Sequence, residues 1–228
     1  ISGRYEFKNK GIDVFIDAMG QLNRNNGLGK EVLAFILVPA GHAGANKELL
    51  HNLELPYQAV TSTDLYLTHY LNDSANDPVM NRIRAQKLRN SEEDKVKIFF
   101  VPSYLNGDDG VLNMPYYDLL VGMDLTAFPS YYEPWGYTPL ESLAFKVPTI
   151  TTTLAGFGLW VKEHYNMNHP GIEVIHREDG DASNVATAIA EWVKNYTQVG
   201  ETEMQKDRDN AKDVSRIALW DNLINYYK

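Results

Sequence analysis

Short apolar runs alternate along this chain with segments in which apolar residues recur every three or four positions. Residues 32–38, 96–101 and 171–175 are predominantly apolar, as expected for strands buried on both faces of a parallel sheet. Residues 121–128 are mostly apolar, residues 147–152 form a short Val- and Thr-rich run, and both are also predicted to be strands. Strands alternate with helical segments about six times, and this alternation predicts a doubly wound α/β domain.

Amphipathic helices are predicted between these strands. The first helix carries apolar residues at the spacing of one buried face, at Ile12, Phe15, Ile16, Met19 and Leu22. Further helices are predicted over residues 117–123, from residue 137 onward, and over residues 182–193, 201–214 and 215–227.

Residues 40–95 form the least regular part of the chain. Gly41, Gly44 and the polar cluster at residues 72–78 predict loops, and Ile83 and Leu88 suggest one polar helix. No chemistry follows from this segment, so a surface or interface role is expected.

Residues 128–141 lead from a predicted strand through a turn into a helix, with the sequence Phe-Pro-Ser-Tyr-Tyr-Glu-Pro-Trp-Gly-Tyr-Thr-Pro-Leu-Glu. Pro134 cannot continue a strand ladder, and a glycine two positions later frees the backbone. Gly136, Tyr137 and Thr138 are therefore expected to present free N–H groups at a helix N-terminus, where the helix dipole favours an anion.

Two carboxylates flank this turn. Glu133 precedes it, and Glu141 lies about one turn inside the helix. Carboxylates accept hydrogen bonds from hydroxyl groups, so the arrangement suits a phosphate with a polyol on each side, as in a nucleotide sugar. By pattern alone, an ordinary loop and helix are slightly favoured, because glutamate is common in first helical turns.

Two cations and one tyrosine complete the candidate site. Arg4 and Lys10 bracket a strand-to-helix turn and could hold a diphosphate, although a solvated basic loop is the simpler interpretation in isolation. Tyr116 could stack on a nucleobase or pack on its own loop. Since ligands of doubly wound sheets bind at the carboxyl ends of strands, one edge would gather all these groups.

Composition and charge argue against several classes of function and site. A net charge of −9 argues against nucleic-acid binding, and the absence of cysteine excludes disulfides and thiolate metal sites. No apolar run approaches the roughly 20 residues of a membrane helix. Six scattered histidines lack metal-site spacing and are expected to be structural or surface residues: His42, His51, His69, His164, His169 and His176. The absence of cysteine also fits the cytoplasm. The N-terminus has neither an initiator Met nor a signal-peptide layout, so the chain is expected to be cut from a longer protein.

The string at residues 131–141 resembles the glutamate motif of glycogen synthases, particularly the animal and fungal type and its bacterial relatives. Residues 4–13, 68–71 and 76–79 resemble further segments of that family. The resemblance implies the GT-B architecture, in which two Rossmann-like domains face each other across a cleft. Residues 1–228 would then be the C-terminal nucleotide-sugar-binding domain, with an irregular insertion at about residues 40–95 and the N-terminal acceptor domain absent.

The resemblance also implies an activity and roles for particular residues. Glucose would pass from UDP-glucose, or from ADP-glucose, to the non-reducing 4-hydroxyl of an α-1,4-glucan such as glycogen, with retention and without a metal or cofactor. Arg4, Lys10 and Glu133 would be catalytic. The donor-binding residues would be Tyr116, Gly136, Tyr137, Thr138 and Glu141. Without the acceptor domain, this fragment would transfer little, and homo-oligomers are compatible with the family.

Three other functions fit parts of the pattern. Another retaining GT-B transferase is disfavoured by the Trp-Gly-Tyr-Thr string at residues 135–138. A non-catalytic nucleotide-sugar or glucan-binding module would be favoured by loss of Arg4 or Lys10, and both are present. A glycosidase could use Glu133 and Glu141 at about 5–10 Å separation, but the basic pair would then lack a purpose.

Overall fold

The computed structural model describes residues 1–25, 27–55, 66–165 and 171–227. Its strands are β1 (Val32–Leu37), β2 (His42–Ala45), β3 (His69–Leu71), β4 (Val96–Val101), β5 (Thr126–Ala127), β6 (Thr149–Thr152) and β7 (Ile172–Ile175). Its α-helices are α1 (Ile12–Asn23), α2 (Lys47–Glu54), α3 (Pro78–Ala85), α4 (Tyr116–Val121), α5 (Tyr137–Ala144), α6 (Gly156–His164), α7 (Ala182–Tyr196), α8 (Glu201–Ile217) and α9 (Trp220–Leu223). A 3₁₀ helix follows at Ile224–Tyr227.

The central strands are parallel. β1 pairs with β4 in register from Val32 opposite Val96 to Leu37 opposite Val101. β5, β6 and β7 form a second parallel group in that order. Ser2 adds an isolated parallel bridge to Leu37, and β2 pairs with β3 in antiparallel orientation.

Helices cover both faces of the second group of strands. In β7, Ile172 and Val174 pack into a cluster with α5, α6 and α8, whereas Ile175 packs into the larger core with α1 and α7. This division follows from the alternation of strand side chains between the two faces of a sheet. The doubly wound α/β architecture predicted from the sequence is thereby confirmed.

A cavity of about 380 Å³ separates β1 from β5. Phe15, Met19, Leu120 and Val193 contribute apolar lining. The described parallel strands therefore form two hydrogen-bonded groups that share one hydrophobic core.

The least regular segment contains more secondary structure than its sequence predicts. β2 includes Gly44, which was expected to lie in a loop, and β3 follows it in the sheet. α3 begins at Pro78 because the side chain of Asp77 accepts a hydrogen bond from the backbone N–H of Met80 at 2.9 Å. Residues 56–65 and the histidine at 169 lie outside the described part of the chain.

Other boundaries also differ from the prediction. Residue 121 ends α4, so the strand predicted from that position is reduced to β5. A helix break at Ser215 was predicted, but α8 continues to Ile217. Ser215 is tolerated there because its hydroxyl donates to the carbonyl of Lys212, one turn earlier, at 2.7 Å. Within the described residues, every helix is too short or too polar to cross a membrane.

Candidate functional site

A cavity of about 330 Å³ opens at the carboxyl ends of the first parallel strands. Pro39 follows β1, Ser103 follows β4, and Gly3 follows the bridge that Ser2 makes to β1. Tyr116 and Thr138, both predicted site residues, also line the cavity. The edge of the sheet at which a ligand was expected therefore holds a concave site.

Lys10 and Glu133 form an ion pair beside this edge, through Nζ and Oε2. Their side chains are only 15% and 20% exposed, so the pair is largely withdrawn from water. At such sites an unpaired charge would carry a high desolvation cost, which each partner reduces for the other. Two residues to which the family resemblance assigns catalytic roles thus meet in space.

The Glu133 segment is fixed by backbone hydrogen bonds. The Glu133 N–H donates to the carbonyl of Leu154 at 3.2 Å, and the Gly156 N–H donates to the Glu133 carbonyl at 3.0 Å. A Cβ on Gly156 would lie 2.1 Å from the carbonyl oxygen of Pro134. The close approach of the two backbones therefore requires a glycine at position 156.

The N-terminus of α5 adjoins the same carboxylate. Gly136 is its N-cap residue, with φ of 107°, and no side chain caps the helix there. Glu133 Cγ lies 3.4 Å from the position a Cβ on Gly136 would take. Tyr137 is the first helical residue and is 71% exposed. The N-terminus of α5 and the Lys10–Glu133 pair are therefore neighbours.

Trp135, inside the same motif, has a packing role. Its ring contacts those of Phe157 and Trp160, with centroids 5.7 Å and 5.8 Å away. These contacts anchor the turn before α5 onto α6.

Two tyrosines and Glu141 form the other end of the site. The Tyr116 hydroxyl lies 2.8 Å from the Ser2 hydroxyl, and burial raises the pKa of Tyr116. The Tyr117 ring stacks on Phe145 at 5.0 Å, and its hydroxyl donates to Glu141 at 3.4 Å. The negative charge of Glu141 raises the pKa of Tyr117. Glu141, the predicted ribose-binding residue, therefore contacts Tyr117, whose ring centroid lies 5.2 Å from that of Tyr116, the predicted base-binding residue.

Arg4 lies at the surface. Its guanidinium pairs with Glu6 at 3.1 Å, and its side chain is 78% exposed. A hydrogen bond from Asn9, together with the charges of Arg4 and Lys10, lowers the pKa of Glu6. The two predicted cations therefore share one acidic neighbour, but only Lys10 contacts Glu133 among the described ion pairs.

Two residues near the site were not predicted from the sequence. Tyr104 lines the 330 Å³ cavity and is 78% exposed. The sequence signal available for Tyr104 was an aromatic residue two positions after Pro102, where the preceding strand ends. Arg177, two residues after the end of β7, donates to the Pro129 carbonyl within residues 128–141. Its position in a polar loop gave no such signal.

The family model and the similar known proteins agree on one family. A family model described as glycogen synthase matches residues 1–64 and 57–228. Glycogen [starch] synthase isoform 2 of Saccharomyces cerevisiae is 29% identical over 292 residues, covering 100% of this chain and 41% of the yeast protein. The liver glycogen [starch] synthase of Rattus norvegicus is 27% identical over 279 residues, covering 100% of this chain and 40% of the rat protein.

A third relative and one solved structure extend the comparison. Glycogen [starch] synthase of Neurospora crassa is 29% identical, covering 97% of this chain and 39% of that protein. The crystal structure of WaaG, a glycosyltransferase involved in lipopolysaccharide biosynthesis, aligns with a TM-score of 0.37 and 15% identity, covering 93% of this chain and 45% of WaaG. The chain therefore spans about two fifths of the length of its named synthase relatives.

Proposed function

The chain belongs to the glycogen synthase family, and we propose that it binds the nucleotide-sugar donor for glucosyl transfer to an α-1,4-glucan. The observation that carries this proposal is the contact between Lys10 and Glu133 beside the N-terminus of α5. A cation and a helix N-terminus suit a diphosphate, and an adjacent carboxylate suits the hydroxyls of the attached sugar.

The donor would lie across the site in one orientation. The nucleobase would occupy the cavity beside Tyr116, and its ribose hydroxyls would donate to Glu141. The N–H groups at Gly136, Tyr137 and Thr138 would receive the distal phosphate. Glucose would then lie against Glu133.

In the proposed reaction, the bond between the anomeric carbon and the phosphate oxygen breaks, and the acceptor 4-hydroxyl oxygen bonds to that carbon. The acceptor proton passes to the departing diphosphate. Lys10 and Arg4 would stabilise the charge that accumulates on the leaving group, so side-chain cations rather than a metal would supply this stabilisation. Glu133 would orient glucose and stabilise positive charge at the anomeric centre. We propose retention of configuration, following the family resemblance.

Arg4 would have to leave Glu6 to reach the diphosphate. Such an exposed ion pair contributes little to stability, so exchanging it for a phosphate partner has a low energetic cost. A guanidinium binds phosphate oxygens through two parallel hydrogen bonds, which favours that exchange.

We favour UDP-glucose over ADP-glucose, because the chain is similar to fungal and animal synthases. Stacking on Tyr116 would itself tolerate either base. The acceptor glucan would bind across a cleft formed with a second domain, so this chain alone is expected to bind donor weakly and to transfer little glucose.

Calorimetric titration with UDP, ADP and their glucose conjugates tests the proposal. We expect binding of the uridine compounds to be tighter than that of the adenine compounds, and weaker binding after Arg4→Ala or Lys10→Ala. Unchanged affinity in both variants would remove the diphosphate assignment. Glucose transfer to glycogen by this chain alone would contradict the requirement for a second domain.

A further inference from the structure

Arg177 is a buried cation that the proposed donor contacts do not use. It is 5% exposed, and its guanidinium donates to the carbonyl of Pro129. The same group lies over the Tyr131 ring, 5.4 Å from the ring centroid. Burying a guanidinium is costly unless it is hydrogen-bonded and paired. A buried arginine with these contacts therefore calls for a functional explanation.

Both contacts of Arg177 fall on the segment that leads into Glu133. Pro129 and Tyr131 lie four and two positions before that carboxylate. The Tyr131 hydroxyl also donates to Asp179, two positions after the arginine. The start of the Glu133 loop is therefore attached to the loop that follows β7.

The same short segment also touches the loop that carries Lys10. The Tyr131 N–H donates to the carbonyl of Asn9 at 2.8 Å. A Cβ on Gly11 would lie 1.8 Å from the Pro129 carbonyl oxygen, so the two backbones are in close contact. Arg177 thus binds the point at which the Lys10 loop and the Glu133 loop meet.

Arg177 is itself well fixed. Its backbone N–H donates to the Thr153 hydroxyl at 2.9 Å, and that hydroxyl lies 3.3 Å from the Arg177 carbonyl oxygen. Burial lowers the pKa of Arg177, while the nearby carboxylates of Asp13 and Asp181 oppose this effect and favour the charged form. A charged donor on a rigid backbone can hold its acceptor in one place.

We propose that Arg177 is a positioning residue that holds the Glu133 loop against the Lys10 loop, so that the two site residues meet. Its effect on the loop rests on its contacts with Pro129 and Tyr131. Its effect on ligand binding rests on the proposed function, because only a glucose-bearing donor would report the position of Glu133.

Hydrogen exchange, measured without added ligand, tests whether Arg177 holds the Glu133 loop in place. The variant Arg177→Met keeps an unbranched apolar stem but removes the charge and the donor groups. We expect exchange in residues 128–136 to be about tenfold faster or more, the factor expected for loss of one charge-assisted hydrogen bond. Arg177→Lys, which keeps the positive charge and an N–H donor group but loses the planar guanidinium, should restore part of the protection. Exchange within twofold of wild type in Arg177→Met would overturn the proposal.

Arg208→Met is the matched control. Arg208 on α8 also donates to a backbone carbonyl, that of Met123, at 2.9 Å. We expect it to leave exchange in residues 128–136 unchanged, and equal acceleration in both variants would overturn the positioning role. If Arg177→Met does not fold, Tyr131→Leu removes the ring beneath the guanidinium and should accelerate the same segment, with an unchanged rate counting against the proposal.

Titration with UDP and UDP-glucose separates positioning from general destabilisation. If Arg177 positions Glu133, Arg177→Lys should reduce the ratio of UDP-glucose affinity to UDP affinity by about threefold or more. A parallel loss for both ligands would indicate destabilisation alone and would refute the role. If wild type binds neither ligand, the proposed function fails, and hydrogen exchange alone decides whether Arg177 holds the loop.

Discussion

Lys10 Nζ contacts Glu133 Oε2, although 123 positions separate the two residues along the chain. The contact joins the loop before α1 to the loop before α5. Glu133 pairs with the cation that the proposed function assigns to a diphosphate. Donor binding is therefore expected to redistribute the interactions of Lys10.

Removing Glu133's charge should favour a diphosphate that lacks glucose. In Glu133→Gln, Lys10 is released from its ion pair and no carboxylate repels the phosphates. We expect UDP to bind about three- to tenfold more tightly than to wild type, while the advantage of UDP-glucose over UDP disappears. Calorimetric titration measures both quantities, and weaker UDP binding by this variant would contradict the competition.

Lys10→Ala should have the opposite effect on UDP. Loss of a charge-assisted contact with phosphate is expected to weaken binding about ten- to hundredfold. Lys8→Ala is the control, because Lys8 is 77% exposed and pairs with Asp13. An equal loss of affinity in the two variants would show only a general dependence on positive charge in this loop.

Tyr116 is expected to contribute through its ring. Tyr116→Ala should weaken UDP binding by about 1–3 kcal/mol, the usual contribution of base stacking. Tyr116→Phe keeps the ring and loses only the hydroxyl contact with Ser2, so its affinity should remain near that of wild type. Tyr117→Ala tests the neighbouring ring, which is stacked on Phe145. A larger loss in this variant than in Tyr116→Ala would reassign the base-binding residue.

Gly11 should tolerate no side chain. It has φ of 67°, and an added Cβ would collide with the Pro129 carbonyl. We expect Gly11→Ala to lower the free energy of unfolding by about 2–4 kcal/mol, through backbone strain and overpacking. Gly200 has no neighbouring atom within 4 Å of an added Cβ, so Gly200→Ala should have a much smaller effect. Denaturant titration compares the two variants, and similar losses would argue against the close contact.

Glu173 gives a pH-dependent prediction. Burial raises its pKa above the unfolded value, so its stabilising contribution is present at low pH and is lost as pH rises through the folded pKa. Glu173→Gln stays neutral and can still accept a hydrogen bond from Trp192. We therefore expect this variant to be more stable than wild type at pH 7, with the difference shrinking toward pH 4.

The control for this prediction is Glu163→Gln, at an exposed position on α6. Thermal unfolding at both pH values should show little change in this variant. A stability gain for Glu173→Gln that is the same at pH 4 and pH 7 would exclude ionisation of Glu173 as its cause.

Local sequence patterns specified most of the secondary structure near the site. β4 and α5 begin at the predicted residues, and the five apolar positions of α1 are buried. These elements could be predicted from the sequence because side-chain periodicity and turn chemistry act between neighbours in the chain. β2 and β3 were missed because they are short and pair only with each other, so neither carries a strong periodic signal of its own.

The sequence by itself determined the α/β class, the family and the residue types available to bind a diphosphate and a sugar. The tertiary structure decided which of them meet: Lys10 with Glu133, Tyr117 with Glu141, and Arg4 with Glu6. It also placed the Arg177 guanidinium against the Pro129 carbonyl, within residues 128–141. Such contacts depend on the path of the chain between remote positions, and a single sequence carries no local pattern for that path.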